Sequence, residues 1–263
     1  MIILFIPSLE ESMMWPGTSA PAPIRESRIE REWLMTDEGP VEMWFVPASG
    51  FQSSANPTVI CAHGNAEVID WTYLVMKPYL EIGINLALCE YRGYGRSKGT
   101  PSQKHITFDF TACYDWIIQK LEVDSTRIFF QGTSIGTGVV CALARKRRPK
   151  LLILISPFIN TGRWIQDKNA LFYQFIKFFG LKNPFFNDRF LKTCHSPVLI
   201  FHGRKDEIIP FSHGRYLHEN SPDCRFIDLD SGHNDVLSHS TVFWTAVRRF
   251  LAEQDVISSD FSG

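Results

Sequence analysis

Two short segments place a serine between glycines in the pattern G-x-S-x-G, an arrangement used by serine nucleophiles. They are residues 95–99, centred on Ser97, and residues 132–136, centred on Ser134. The pattern has chemical meaning only where a strand turns sharply into a helix, because that turn exposes the hydroxyl. A serine placed in this way can attack a carbonyl carbon and form a covalent intermediate.

The sequences that flank the two serines differ. Apolar residues 128–130 precede Ser134 as a strand, and residues 135–146 follow it as a helix whose small side chains would allow close packing on a sheet. Ser97 lies among glycines and a proline, in a loop that cannot continue as a helix. We therefore predict that Ser134 is the nucleophile and that Ser97 shapes a turn.

A serine hydroxyl becomes reactive when a neutral imidazole takes its proton and a carboxylate orients that imidazole. After a strand–turn–helix nucleophile, the acid and then the histidine follow on loops behind later strands. Asp206 follows the apolar run 198–201, and His233 follows the run 225–229. Both loops leave the carboxyl ends of predicted strands, so the sequence predicts a triad of Ser134, Asp206 and His233.

Other side chains compete for the two supporting roles. Among the eight histidines, His239 is the rival of His233, although it lies further into the terminal region. If the loops were wound differently, other carboxylates could replace Asp206. These are Glu207, Asp228 and Asp230.

The charge that develops on the attacked carbonyl oxygen needs fixed N–H donors. One donor is expected from the backbone of Ile135, the residue after the nucleophile. The other is expected from residues 63–66 (HGNA), where Gly64 permits a tight turn before a helix begins. We assign this second donor to the backbone N–H of Asn65.

An alternation of short apolar runs and amphipathic segments must position these residues. It is typical of a parallel sheet covered by helices, so we predict an α/β fold with a mostly parallel central sheet and helices on both faces. Strands are predicted at residues 57–62, 85–90, 127–131, 151–155, 198–201 and 225–229, with an antiparallel pair, 31–35 and 41–46, at one edge. Helices are predicted at residues 67–81, 107–121, 135–146, 212–219 and 241–253.

Residues 158–193 interrupt the alternation with many aromatic side chains and no clear strand. An insertion here would stand above the carboxyl ends of the strands, where open α/β sheets bind ligands, and we predict a small helical cap. Phe172, Phe175 and Phe179 are predicted to bind substrate on one helical face. The alternative is that the aromatics only attach the cap to the body. The predicted division is an N-terminal extension (1–28), a core (29–157 and 194–257) and the cap (158–193).

The composition excludes several classes of protein. Hydrophobic residues make up 44% and charged residues 21% of the 263 residues, and the net charge of −1 gives no general attraction to nucleic acid. The six cysteines form no C-x-x-C pair, so we expect no metal site. The basic run 145–150 closes the helix that begins at the nucleophile, and we expect it to be a solvated face remote from the site.

The apolar residues 1–6 are too few for a signal peptide, and no stretch reaches the roughly twenty apolar residues of a membrane span. We therefore expect a cytoplasmic protein. The alternative is that the N-terminus is the end of a longer anchor or lies on a membrane, which leaves peripheral membrane contact open.

Five segments, in this order, resemble the α/β-hydrolase-domain serine hydrolases of the Bem46-like type, which include membrane-associated protein depalmitoylases. They are residues 63–66 (HGNA), 91–102 (YRGYGRSKGTPS), 132–136 (GTSIG), 206–210 (DEIIP) and 232–235 (GHND). The resemblance covers residues 58–250. It implies an α/β-hydrolase fold and esterase or thioesterase activity without a cofactor.

The leading hypothesis is a serine hydrolase that cleaves carboxylic esters or thioesters with a hydrophobic acyl group through an acyl-enzyme. Its substrate would be a small or lipid-like ester, or an acylated protein. One alternative is a peptidase, because the same fold and triad cleave amides. Another is a non-catalytic binding protein on this scaffold, although the presence of all three triad residues argues against it.

Overall fold

The structure is a computed structural model that describes residues 14–21, 24–48, 56–121, 123–179 and 184–258. The strands of these residues are β1 (Glu30–Thr36), β2 (Gly39–Val46), β3 (Thr58–Ala62), β4 (Asn85–Cys89), β5 (Ile128–Thr133), β6 (Leu152–Ile155), β7 (Val198–Gly203) and β8 (Cys224–Leu229). The helices are α1 (Ile69–Met76), α2 (Pro78–Glu81), α3 (Gln103–Leu121), α4 (Ile135–Ala144), α5 (Thr161–Lys168), α6 (Ala170–Phe179), α7 (Asn187–Leu191), α8 (Phe211–Glu219) and α9 (Ser240–Glu253).

Within the described residues, the strands form one eight-stranded sheet in the order β1-β2-β4-β3-β5-β6-β7-β8. The pairs β1–β2 and β2–β4 are antiparallel, and all other pairs are parallel. The predicted α/β fold, with an antiparallel pair at one edge, is confirmed. The strand order reverses at β3, which lies between β4 and β5, and ligands of open α/β sheets bind at such a point.

Helices cover both faces of the sheet, so its central strands are buried from end to end. Side chains of α3, α4 and α8 pack on one face, and those of α1 and α9 pack on the other. Successive residues of β3 point to opposite faces: Ile60 joins the first cluster, and Val59 and Cys61 join the second. This double coverage explains why the strands read as continuous apolar runs in the sequence.

The segment between β6 and β7 folds as α5, α6 and α7, where the sequence predicts a cap. At the other end of the chain, Met14 and Trp15 are buried, and the N–H of Gly95 donates to the carbonyl of Thr18 at 2.6 Å. Part of the predicted extension therefore packs against the body, while the division into extension, core and cap stays a prediction. None of the helices in the described ranges has the length and apolar character needed to cross a lipid bilayer.

Candidate active site

Ser134 occupies the sharp turn between β5 and α4, with a φ of 53°, which is strained for a serine. The glycines of the motif allow this turn. A Cβ on Gly136 would lie 2.2 Å from the carbonyl oxygen of Ala62, and one on Gly132 would lie 2.5 Å from the carbonyl oxygen of Gly136. The helix can therefore start against the end of β3 only because these side chains are absent.

The structure brings the three residues of the predicted triad together. Nε2 of His233 lies 2.9 Å from Oγ of Ser134, and Nδ1 of His233 lies 2.7 Å from Oδ2 of Asp206. The other carboxylate oxygen, Oδ1, accepts the backbone N–H groups of Ile208 at 2.9 Å and Ile209 at 2.7 Å. These bonds fix the carboxylate, which in turn orients the imidazole toward the serine.

The Asp206 side chain is buried but remains ionised. Burial by itself would raise its pKa, but hydrogen bonds from His202 and His233 and from the Ile209 N–H hold the pKa well below its ordinary value. His202 lies 3.4 Å from Oδ2 of Asp206 and is buried beneath the loop. A carboxylate that stays charged can stabilise the imidazolium formed when His233 takes a proton.

Three of the rival residues, Ser97, Asp228 and Asp230, have side-chain contacts elsewhere. Oγ of Ser97 accepts the backbone N–H of Glu42 at 2.9 Å, a bond that closes the loop onto β2. Ser97 thus has the turn-shaping contact that its sequence predicts. The carboxylates of Asp228 and Asp230 pair with the exposed cations Arg204 and Lys205, and Glu207 is exposed.

Asn65 and Ile135 line the same cavity as Ser134 and His233, at the N-terminus of α4. The positive end of the helix dipole therefore faces the place where an oxyanion would form. The phenol of Tyr94 donates to Oδ1 of Asn65 at 3.0 Å and holds the loop after β3 in place. The two predicted donors thus belong to segments on either side of the nucleophile, and their role as oxyanion donors stays a prediction.

A buried ion pair underlies this loop, and sequence reasoning missed it. Nε2 of His63 donates to Glu90 at 2.7 Å, and Nδ1 lies 2.8 Å from the carbonyl oxygen of Gly64. Burial lowers the pKa of His63, but the Glu90 carboxylate outweighs this effect and raises the pKa above its ordinary value. Tyr91 donates to the carbonyl of His63 at 2.7 Å. The sequence does contain a sign of this pair, because Glu90 is a charged residue directly after the buried strand β4.

The cavity beside Ser134 has a volume of 230 Å³ and mostly apolar walls. Its apolar lining residues are Met14, Ile135, Ile155, Phe158, Trp164, Ile208, Ile209, Val236 and Leu237. The ionisable side chains among the lining residues are Glu67 and His233. Glu67 accepts the N–H of Gly64 at 2.9 Å and thereby also braces the loop after β3.

The cap contributes to this cavity through α5, which differs from the prediction. Phe172, on α6, packs against Ile165 of α5 and therefore does not line the cavity. The cap residues in the cavity wall are Phe158, Thr161 and Trp164. The side chains of Phe175 and Phe179 lie outside the described residues. No group of three potential metal-ligating side chains occurs in the described parts of the chain.

Comparison with known proteins places this site in a family. The chain is 27% identical to the alpha/beta hydrolase domain-containing protein WAV2 of Arabidopsis thaliana, over 95% of this chain and 89% of that protein. It is 31% identical to the lysophosphatidylserine lipase ABHD12 of Rattus norvegicus, over 71% of this chain and 50% of that protein.

Among solved structures, the Pyrococcus furiosus esterase Pf2001 superimposes with a TM-score of 0.69 at 20% identity, over 91% of this chain and 98% of the esterase. This likeness shows a shared fold. The family described as Hydrolase_4, serine aminopeptidase S33, matches residues 53–184, which is half of the 263 residues and includes Ser134. The chain belongs to this family of α/β-hydrolases.

Proposed function

We propose that the protein is a serine hydrolase that cleaves carboxylic esters or thioesters with a hydrophobic acyl group. The carrying observation is the linear arrangement of Ser134, His233 and Asp206, with contacts of 2.9 and 2.7 Å, beside an apolar cavity. This arrangement supports acyl transfer, because nucleophile, base and orienting carboxylate are all in hydrogen-bond reach.

In the proposed mechanism, His233 takes the proton of Ser134 as Oγ attacks the substrate carbonyl. The oxyanion accepts the backbone N–H groups of Ile135 and Asn65. His233 then gives the proton to the leaving alcohol or thiol, and an acyl-serine remains. Water, deprotonated by His233, attacks the acyl-serine, and His233 returns the proton to Oγ of Ser134 as the acid leaves. Asp206 stabilises the imidazolium in both halves.

The apolar cavity walls favour an acyl chain over a polar group, since each buried CH₂ contributes about 0.8 kcal/mol. The names of two relatives, a lysophosphatidylserine lipase and an esterase, support ester cleavage. We therefore favour a lipid-like ester as substrate, with an acylated protein as the alternative within the same chemistry. A Bem46-like placement and peripheral contact with a membrane belong to this proposal.

A second candidate is an aminopeptidase, because two observations favour it. The family description names serine aminopeptidases, and Glu67 presents a carboxylate to the cavity that could bind an α-ammonium group. The test compares the rates of hydrolysis of aminoacyl p-nitroanilides and p-nitrophenyl esters. Faster hydrolysis of the anilides would favour an aminopeptidase over an esterase.

The proposal is tested by fluorophosphonate labelling and by hydrolysis of p-nitrophenyl esters. We expect Ser134→Ala to abolish labelling and to lower kcat by about 10⁴-fold or more, because triad serines cannot be replaced. The matched control is Ser97→Ala, which should keep most of the activity. A labelled, active Ser134→Ala protein would show that the nucleophile lies elsewhere.

A further inference from the structure

A second cleft lies at the other end of α4, away from the nucleophile. It has a volume of 560 Å³, within the range of small-molecule sites, which is about 300–1,000 Å³. Three of its lining residues are arginines: Arg145 and Arg148 follow α4 directly, and Arg189 comes from α7. His195 lines it as well. Since α4 rises about 1.5 Å per residue, the ten residues from Ile135 to Ala144 separate this cleft from Ser134 by about 15 Å.

The arginines of this cleft lack acidic partners. No aspartate or glutamate lines the cleft, and none of the three guanidinium groups forms an ion pair within the part of the chain that the structure describes. Arg147, in the same basic run, shows the contrast, because it pairs with Asp115 at 2.6 Å and does not line the cleft.

The helix dipole accounts for only part of this arrangement. Cations near the C-terminus of α4 are favoured by its carbonyl groups, which explains Arg145 and Arg148 in a basic run. It does not explain why Arg189 and His195, from a different segment, line the same cleft. The guanidinium of Arg189 lies over the ring of Phe186, 4.2 Å from its centroid, so its plane is held in place.

We propose that this cleft binds a phosphate-bearing ligand. Guanidinium groups match phosphate oxygens with two parallel hydrogen bonds, and three arginines line this cleft, whose described lining residues include no carboxylate. Phe186 and Phe190 supply an apolar wall for the organic part of a phosphate ester. The active-site cavity differs in the charge of its lining, since its ionisable lining residues are Glu67 and His233 and it has no arginine among its described lining residues. The phosphate site is therefore distinct from the catalytic site and independent of the proposed hydrolase activity.

The first test measures thermal unfolding of the full chain against increasing inorganic pyrophosphate at constant ionic strength. A ligand that binds the folded state raises the Tm in a saturable way. We expect this rise in the parent, and an affinity at least about tenfold weaker in the double variant Arg148→Gln, Arg189→Gln, which loses two charge-assisted partners. The matched control is Lys146→Gln, Lys150→Gln, which removes the same charge from residues that do not line the cleft.

The second test identifies the source of the phosphate by sedimentation with vesicles of phosphatidylcholine, with and without phosphatidic acid, in 0.15 M salt. Binding to phosphatidic acid vesicles that is lost in the arginine variant and kept in the lysine variant supports a lipid headgroup. Binding of pyrophosphate alone, with the same dependence on the arginines, supports a soluble phosphate ester. Equal responses of the two double variants in both tests, or no response of the parent in either, would overturn the proposal. Circular dichroism spectra that match the parent establish that the variants are folded.

Discussion

At the scale of single residues, the site depends on carboxylates whose partners are specified by the fold. Asp206 accepts two backbone N–H groups and lies beside two histidines. These contacts stabilise its negative charge in place of water. Glu67 accepts one N–H and forms no direct ion pair among the described residues, and its charge contributes to the raised pKa of His63. The first carboxylate therefore orients His233, whereas the second lines the cavity, where we expect it to face the substrate.

Asp206→Asn tests whether the ionised carboxylate of Asp206 stabilises the fold and supports catalysis. The pKa of Asp206 in the folded protein lies below its unfolded value, which is about 3.9. The ionised carboxylate therefore stabilises the fold at pH values above about 3.9. This stabilisation is lost as the pH falls from there toward the folded-state pKa. In urea unfolding between pH 5 and pH 3, we expect the parent to lose more stability than the variant. At pH 7 the variant should lose about 10⁴-fold in kcat. The control is Asp228→Asn, which removes a half-buried carboxylate that pairs with the exposed Arg204. If the parent and Asp206→Asn lost stability in parallel below pH 5, the ionised carboxylate would not be the stabilising form.

Glu67→Gln tests whether the charge of Glu67 acts on a substrate in the cavity. Glutamine can still accept the N–H of Gly64, so the loop should keep its shape while the charge disappears. A unit charge at about 8 Å contributes about 2 kcal/mol at an effective dielectric constant of 20, and solvent screening reduces this value. We expect the parent to prefer a trimethylammonium ester over a carboxylate ester of equal length, and the preference to fall at least about fivefold in the variant. A preference in kcat/KM that does not change would assign Glu67 a purely structural role.

At the scale of elements, buried charges attach the loop after β4 to the sheet and to α1. Arg96 binds Glu42 of β2 at 2.7 Å and Asp70 of α1 at 2.8 Å, and both carboxylates are buried. This loop also carries Tyr91 and Tyr94, which hold His63 and Asn65 in the loop after β3. The loop is thus a brace between the sheet edge and the active site.

Arg96→Met should therefore destabilise the protein strongly. It leaves two carboxylates buried without a cation, and removal of one partner of a buried ion pair costs about 3–5 kcal/mol. The matched control is Arg249→Met, whose exposed pair with Glu253 contributes about 0–1 kcal/mol. The free energies of unfolding in urea give the comparison. Equal losses in the two variants would contradict the role of Arg96 as a brace.

At the scale of the whole molecule, the cavity beside Ser134 is assembled from segments far apart in the chain. Met14 comes from the N-terminal segment, Trp164 from the cap, and Leu237 from the region after β8. The indole of Trp164 donates to the carbonyl of Ile208 at 3.1 Å, which ties the cap to the loop that carries Asp206. The size of the cavity is consequently a property of the assembled fold.

Trp164→Ala should lengthen the acyl chain that the enzyme prefers, because it removes a wall of the cavity. With esters of two to twelve carbons, we expect kcat/KM to rise to a medium-length optimum in the parent, by up to about fourfold per CH₂, and to peak at longer chains in the variant. Phe172→Ala, outside the cavity, should keep the parent profile and lower only the Tm. A parent profile that falls steadily from two carbons would contradict the acyl cavity.

The sequence by itself determined the residues of the candidate triad and most of the elements that carry them. The turn at Ser134 is encoded locally, because only glycine fits at residues 132 and 136, and chain order then predicts Asp206 and His233. Buried strands and amphipathic helices are equally local patterns, since each depends on residues two to four positions apart.

Only the tertiary structure decided which remote side chains meet. Three such contacts join distant stretches of chain: Glu90 with the loop after β3, Met14 with the cavity wall, and Arg189 with the cleft beside the basic run. The same limit explains why helical spacing predicted Phe172 for the substrate site, whereas Trp164 is the described aromatic residue of this segment's helices that lines the cavity. Spacing defines the face of a helix, but the packing of one helix against another decides what that face contacts.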